Sequence, residues 1–372
     1  MGFLGKLFKS DPPGDAVKRS VVDHADGSQT VRTEFSLQGE PRPVRNDVVT
    51  AFDDALKRLG GGAQVMHAMD PARLLGFEHG GPPVWSVGMV EVPGPRPYTL
   101  LLTYGFSHVL SPERFREGLA HEFSLAVPAG TPLSPWADAL LRHQARYVLT
   151  QGADIRPNDC VPFRGVPMTR IPFQPEHHAK LPHSTLVGVL ATIDPVLPRI
   201  DTAHGAVEVR RLVGIDAREL DRVETWSAKG FLEELRRVDP LLLSPLERAC
   251  WLDDAGFSAT VAQRFEREGS DIDAALFELL INHDGGQLEL YFPKTEGGRK
   301  RLLDALVGRV GFGRRLVALT RFTPPIDFSL RVGPKSSFSP RGIEITGDAS
   351  QGDAAAVLNA LRSGAPSVML TM

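Results

Sequence analysis

Four places in this sequence bring together side chains that could do chemistry. Glu176, His177, His178 and His183 form its densest group of metal-ligand types. Adjacent histidines in an extended loop point to opposite sides, so His177 and His178 do not readily share an ion, whereas His178 and His183 could. No fourth ligand is evident, and a solvated polar loop is the expectation. Cys160 follows Asp159 in a proline-rich loop. As a nucleophile it would need a histidine folded against it, and no motif marks one of the 11 histidines for that role. His121-Glu122 lacks the second histidine of a zinc-protease helix. Gly311-Phe312-Gly313-Arg314 begins like a dinucleotide loop but has no third glycine at the required offset, so it reads as a turn. Neither a phosphate-cradling loop nor a nucleophile elbow is present. We therefore expect no catalytic residue, no metal and no cofactor.

Binding residues are easier to place. The stretch from Ala145 to Phe163 sets a helix end, an aromatic hydroxyl at Tyr147 and an acid at Asp159 close together. Two readings stand for each residue. Tyr147 either packs in the core with its hydroxyl at the rim or offers contact area to a partner. Asp159 either makes a turn beside Asn158 or gives a partner a charge-assisted hydrogen bond. The partner-binding reading makes Tyr147 and Asp159 the candidate site.

The elements that must hold this stretch are legible from periodicity. Val48, Val49, Phe52, Leu56 and Leu59 recur at helical spacing after Asn46-Asp47 and stop at Gly60-Gly61-Gly62. Tyr98 to Tyr104 is rich in strand formers, and Phe123, Leu125 and Val127 alternate in the next strand. Ser134-Pro135 opens a helix whose face carries Trp136, Leu140, Leu141, Gln144, Tyr147 and Val148. Six prolines between 157 and 182 forbid long ladders there. Strands over 185–193 and 206–215 follow, then helices introduced by Asp216 with Glu219 and by Ser227. Beyond Asp239-Pro240 we expect helices from Ser244-Pro245 and near Ser258 and Asp271. Strands follow near 287–292, 316–320, 328–332 and 342–346, with helices over 298–310 and 354–361. Near the start, Asp26-Gly27 reads as a hairpin turn. Strands and helices do not alternate one for one, which favours α+β over a doubly wound sheet.

Composition bounds the function classes. A chain of 372 residues is long enough for two domains, and 42% hydrophobic with 23% charged residues excludes wholesale disorder. Lys plus Arg at 42 against Asp plus Glu at 45 gives a net charge of −3, which argues against a surface built to neutralise a nucleic-acid backbone. Two cysteines make no disulfide framework, as in a reducing compartment. No apolar run approaches the ~18 residues of a membrane span. Phe3, Leu4, Leu7 and Phe8 beside Lys6 and Lys9 form one apolar turn, read as a frayed end without stable membrane insertion. A cytoplasmic protein is expected.

Four blocks in order resemble the Suppressor of fused family. They are the strands from Tyr98 and from Gly118, the helix ending Ala145-Arg146-Tyr147-Val148 with its acidic loop, and a long block from Leu190 to Pro240. The last is the most specific. It has Thr192-Ile193-Asp194-Pro195, Thr202 with Gly205 and Val207, Val213-Gly214, Glu219-Leu220, and Trp226 with Gly230. The resemblance spans about residues 83 to 240, and less firmly back to 46. It implies a SUFU-like α+β domain, a mixed or antiparallel sheet packed by helices, that is catalytically silent and recognises proteins. Animal members sequester transcription factors by clamping a short peptide, held as an added strand, between two domains. Bacterial members usually carry only the first domain and serve partly as immunity proteins against secreted toxins. Tyr147 and Asp159 fall on positions that contact the peptide in the animal motif. The loop departs from that motif at Asn158, where the family has glycine, at Cys160 for histidine, and at Pro162-Phe163-Arg164 for a Ser-Trp-His run.

The expected organisation is a polar extension over 1–44, a Suppressor of fused-like domain over 45–240 and a second α+β domain over 241–372. The alanine- and arginine-rich composition suggests a bacterial source. The expected partner is therefore a protein, either a toxin domain that is neutralised or a cytoplasmic protein that is regulated, engaged across Tyr147 and Asp159, with an added β-strand as an attractive mode.

Overall fold

Seven strands of the N-terminal half join edge to edge into one mixed sheet, with an eighth added to its fifth. The computed structural model describes residues 17–23, 29–35, 46–69, 84, 86–108, 120–151, 154–272, 274–284, 287–312, 314, 316–319, 326–329, 336–339, 342–346 and 352–371. A hairpin comes first, β1 (Val17–Asp23) with β2 (Gln29–Phe35). The Asp26-Gly27 turn, like the apolar turn at residues 3–8, lies outside the described residues. Helix α1 (Asn46–Leu59) follows, then β3 (Met66–Met69), β4 (Ser86–Val92), β5 (Tyr98–Tyr104), β6 (His121–Pro128), helix α2 (Trp136–Gln151), β7 (Cys160–Pro162), β8 (Leu186–Ile193), β9 (Arg199–Thr202) and β10 (Gly205–Asp216). The sheet order is β3-β4-β5-β6-β10-β8-β7, with β9 on the start of β10. Only the β6–β10 pairing is parallel in this sheet.

Both faces of this sheet are covered. Val48, Phe52, Ala55 and Leu56 of α1 pack with Tyr98, Leu100, Leu102 and Tyr104, while Trp136, Leu140, Leu141 and Val148 of α2 pack with Leu101, Phe123 and Leu125. Alternate residues of β5 thus enter opposite cores, so the whole strand is buried. That is the physical reason it shows no alternation of apolar and charged residues.

A strap crosses the sheet where the sequence predicts a helix from Ser244-Pro245. Ser244 N–H donates to Ala126 O at 2.9 Å, its hydroxyl accepts Gly214 N–H at 2.9 Å, and Leu246 O accepts Thr185 N–H at 3.0 Å. Bonds to Ala126 of β6, Gly214 of β10 and Thr185 just before β8 outweigh a local helix start. The turn before it is tied by Asp239, whose Oδ2 accepts Leu243 N–H at 3.0 Å. Under the strap, Gly214 leaves no room for a side chain, since a Cβ there would stand 2.5 Å from Leu186 Cδ1 and 3.1 Å from Met168 Sδ.

The chain divides into two compact units. One is built from Gln29–Ala217 and Leu235–Arg248, the other mainly from Arg218–Glu234 and Ala249–Met372. The second unit holds most of α3 (Ala217–Thr225), the start of α4 (Ala228–Val238) and all of α5 (Ala255–Glu268). Trp226 is fully buried between the first two, and Gly230 makes space for it, because a Cβ there would lie 2.7 Å from the indole. Next come β11 (Ala274–Leu276), β12 (Leu280–Asp284), β13 (Gln287–Tyr291), α6 (Glu296–Arg309), β14 (Leu316–Leu319), β15 (Ile326–Ser329), β16 (Ser337–Ser339), β17 (Gly342–Thr346), α7 (Gly352–Arg362) and β18 (Ser367–Thr371). They form a five-stranded sheet, β11-β14-β15-β17-β16, and a three-stranded one, β12-β13-β18. Leu302, Leu306, Val357 and Leu358 of α6 and α7 fill the core between them. The helix expected near Asp271 is replaced by strand β11, and β12, β16 and β18 are strands that the sequence reading lacks. β11 and β18 pair with strands distant in sequence, which local periodicity does not reveal, whereas β12 is a short strand that pairs with the next one, β13. Both units mix helices with sheets, and the α+β class is as expected.

Candidate partner-binding surface

Helix α2 is set by its buried stripe. Trp136, Ala137, Leu140, Leu141, Gln144, Ala145 and Val148 are buried, and Trp136 Nε1 donates to Pro132 O at 2.6 Å at the helix start. Tyr147 falls one step off this stripe, is 39% exposed and belongs to the surface.

The loop after α2 is clamped from β10. Arg210 Nη1 donates to Asp154 Oδ1 at 2.8 Å and to Ile155 O at 2.7 Å, and its Nε donates to Glu208 Oε1 at 2.6 Å. His121, fully buried, stands 3.5 Å from Asp154 Oδ1 and 3.3 Å from Arg210 Nη1. Ile155 is buried beneath, so the loop is fixed by an apolar anchor and a bidentate cation together. Sequence reading missed Arg210, because only the tertiary fold brings it to Asp154.

Beyond the clamp a tight turn ends at Asp159. Arg156 N–H donates to Asp159 Oδ2 at 2.7 Å, and Asp159 N–H donates to Arg156 O at 2.9 Å. Asn158 has φ of 75°, a left-handed conformation that glycine adopts freely and asparagine tolerates better than most residues. The exchange of the family's glycine for Asn158 therefore suits the same backbone shape. Asp159 O accepts Ala191 N–H at 2.9 Å, which ties the turn to β8. The Asp159 side chain is exposed and serves the turn through one oxygen. Phe163, after β7, returns to the core. Tyr147 and Asp159 thus stand at the surface of the same unit, one at the end of α2 and one on a braced turn.

Strand β7 is an outer strand of the sheet. Its register pairs Cys160 with Leu190 and Pro162 with Gly188, and Phe163 N–H donates to Val187 O at 2.8 Å. In this alternation the ring nitrogen of Pro162 faces away from β8, so the outer edge lacks a donor there.

Several other chemistry-bearing side chains are engaged in bonds within the fold. His178 Nε2 lies 3.1 Å from Phe173 O, while His183 Nδ1 lies 3.2 Å from Glu247 Oε1, so the two are engaged separately. Ser86 Oγ, His67 and Asp53 make a relay, with Ser86 Oγ 3.2 Å from His67 Nδ1 and His67 Nε2 3.1 Å from Asp53 Oδ1. Tyr104 OH donates to the same Asp53 oxygen at 2.9 Å. Ser86 is fully buried beneath its strand, where no substrate carbonyl reaches it. The relay ties α1, β3, β4 and β5 together.

Two buried carboxylates organise the sheet. Asp194 Oδ2 accepts from Arg211 Nη2 at 2.7 Å and Ser124 Oγ at 2.6 Å, and its Oδ1 accepts Leu197 N–H at 2.8 Å and Val196 N–H at 2.9 Å. Burial pushes its carboxyl up, but Arg211 and these donors outweigh that and hold it below the ordinary aspartate value. Glu122 accepts five donors. Its Oε1 takes Gly105 N–H at 3.0 Å, Ser107 N–H at 2.9 Å and Ser107 Oγ at 2.7 Å, and its Oε2 takes Thr103 Oγ1 at 2.5 Å and Phe106 N–H at 3.3 Å. Here desolvation wins, and the carboxyl is raised from 4.5 to about 7.

Comparison with known proteins speaks to this same half of the chain. Residues 81–249 match the family model of the Suppressor of fused protein (SUFU). The resemblance legible in the sequence is thereby shown over that segment. Among solved structures, Drosophila Suppressor of Fused aligns with a TM-score of 0.64 at 15% identity, covering 88% of this chain and 92% of that one. A crystal structure of the Sufu–Fu complex aligns with a TM-score of 0.46 at 20% identity, covering 60% of this chain and 97% of that one. A Suppressor of fused homolog from Neisseria gonorrhoeae FA 1090 aligns with a TM-score of 0.38 at 14% identity, covering 55% and 96%. No curated protein matches the sequence. The 88% covered in the Drosophila alignment is more than residues 1–248 can supply, so the likeness of fold continues into the C-terminal residues. No helix among the described residues is long and apolar enough to cross a membrane.

Proposed function

We propose that this protein acts in the cytoplasm by binding another protein and covering part of its surface, with Tyr147 and Asp159 at the contact and no bond made or broken. The observation that carries this reading is the clamp on the loop. Arg210, Asp154 and the buried Ile155 fix a turn whose end presents an exposed carboxylate, on the same unit as the exposed ring of Tyr147. A braced surface of this kind loses little conformational entropy on association. The family match over residues 81–249 supports the same reading. Side-chain contact is the better-supported mode, because β7 offers an added strand only three residues, one of them Pro162. We further propose that the partner is a toxin domain that this protein neutralises by occupancy; a resident regulatory protein is the alternative.

The test is capture of partners from the native host, followed by affinity measurement with Asp159→Asn, Tyr147→Ala and Arg210→Met. Asparagine at 159 keeps an acceptor for Arg156 N–H and removes only the charge. Loss of a charge-assisted bond should weaken partner binding about tenfold or more while thermal stability changes little. Unchanged affinity in both Asp159→Asn and Tyr147→Ala would remove this surface from the contact. A captured toxin whose activity is restored by Asp159→Asn would support neutralisation, whereas a housekeeping partner would support regulation.

A further inference from the structure

The second unit carries a sheet face on which three exposed apolar side chains stand around Glu289. Strands β12, β13 and β18 turn Ile281, Leu288, Leu290, Val368 and Leu370 inward to the core. Their opposite face follows from the register, in which Leu280 pairs with Tyr291 and Tyr291 with Ser367, while Asn282 pairs with Glu289 and Glu289 with Met369. Leu280 is 51% exposed, Tyr291 38% and Met369 54%, and these three surround Glu289. The carboxylate is tied to neighbouring side chains. Its Oε2 accepts Tyr291 OH at 2.5 Å and its Oε1 accepts Ser367 Oγ at 2.9 Å.

We propose that this face docks a protein segment in which an arginine is flanked by aliphatic side chains. Charge decides the occupant. Among the described side chains of the face, Glu289 is the acid and none is a lysine or arginine, so the exposed apolar side chains border an acidic centre, with Asn282, Gln287 and Ser367 as polar neighbours. A guanidinium meets both needs, pairing with the carboxylate while lying over the Tyr291 ring, and its aliphatic neighbours cover Leu280 and Met369. A second copy of the chain fits less well, because an identical face brings the same acid and no lysine or arginine among its described side chains. These residues belong to the second unit and Tyr147 and Asp159 to the first, so the two proposals rest on different residues and either can fail without the other.

The probe is a labelled peptide of alternating leucine and arginine, with a leucine–glutamate peptide of equal length as control, titrated onto the full-length protein. Saturable binding of the arginine peptide is expected, with at least tenfold weakening in both Glu289→Gln and Met369→Ser and no binding of the glutamate peptide. Circular dichroism confirms that both variants remain folded. If wild type and variants bind the arginine peptide equally, attraction is nonspecific and the proposal is overturned. If the protein is a dimer in solution that Leu280→Lys dissociates, the face belongs to a second copy, and the proposal likewise fails.

Discussion

Replacing Glu122 by glutamine should erase a pH dependence of stability that runs opposite to ordinary acid denaturation. The carboxyl is fully buried at the start of β6 and is raised from 4.5 to about 7, by desolvation that its five donors only partly offset. A folded-state value above the unfolded one means that the folded protein holds the proton more tightly. The contribution is therefore complete below pH 4.5 and is lost as pH rises through about 7. The gap between the two values corresponds to roughly 3 kcal/mol between the ends of that window. Glutamine cannot ionise. With its carbonyl oxygen on the Gly105 and Ser107 side, its amide group faces Thr103 Oγ1, which can turn to accept, and Phe106 N–H, which cannot. One opposed donor pair should make the variant about 1–3 kcal/mol less stable than wild type at pH 4.5. The two should converge or cross by pH 8. Urea unfolding of both proteins across this range provides the assay, and subtracting one curve from the other cancels the histidines and other groups they share. A difference that stays flat from pH 4.5 to 8 would refute the reasoning.

Two further outcomes concern the scaffold. Asp194→Asn leaves Arg211 buried without its counter-charge and should cost about 3–5 kcal/mol in denaturant unfolding at neutral pH. Because the Asp194 carboxyl is held low in the folded state, the stability it confers is present above the ordinary aspartate value and fades as pH falls through the depressed one, so wild type and variant should approach each other in acid. Gly214→Ala drives a methyl group into Leu186 and Met168 and should lower stability by about 1–3 kcal/mol with an unchanged denaturant m-value. An alanine variant as stable as wild type would mean that the sheet relaxes around it.

The residues that carry the family resemblance are mostly residues that build this sheet. Asp194 of the Thr-x-Asp-Pro turn holds Arg211, Gly214 admits Leu186, Thr202 Oγ1 donates to Gly205 O at 2.7 Å, and Gly230 seats Trp226. They are legible in one dimension because each satisfies a strict local or steric demand that few residue types can meet. The candidate site was legible only in part. Tyr147 and Asp159 stand out through the resemblance, yet the backbone bond that Asp159 makes is seen only in the folded turn.

By itself the sequence determined the helices of the first unit, its long strands and the α+β class. Apolar spacing and capping residues act over a few neighbours, and that information survives without the fold. Tertiary structure decided the rest. It turned the segment from Ser244 into a strap by bonding it to residues thirty or more positions away. It also brought Arg210 to Asp154 and set Leu280, Glu289, Tyr291 and Met369 on one face. Each of these depends on which strand lies beside which, a choice made by the burial of whole faces and not by any local run of residues.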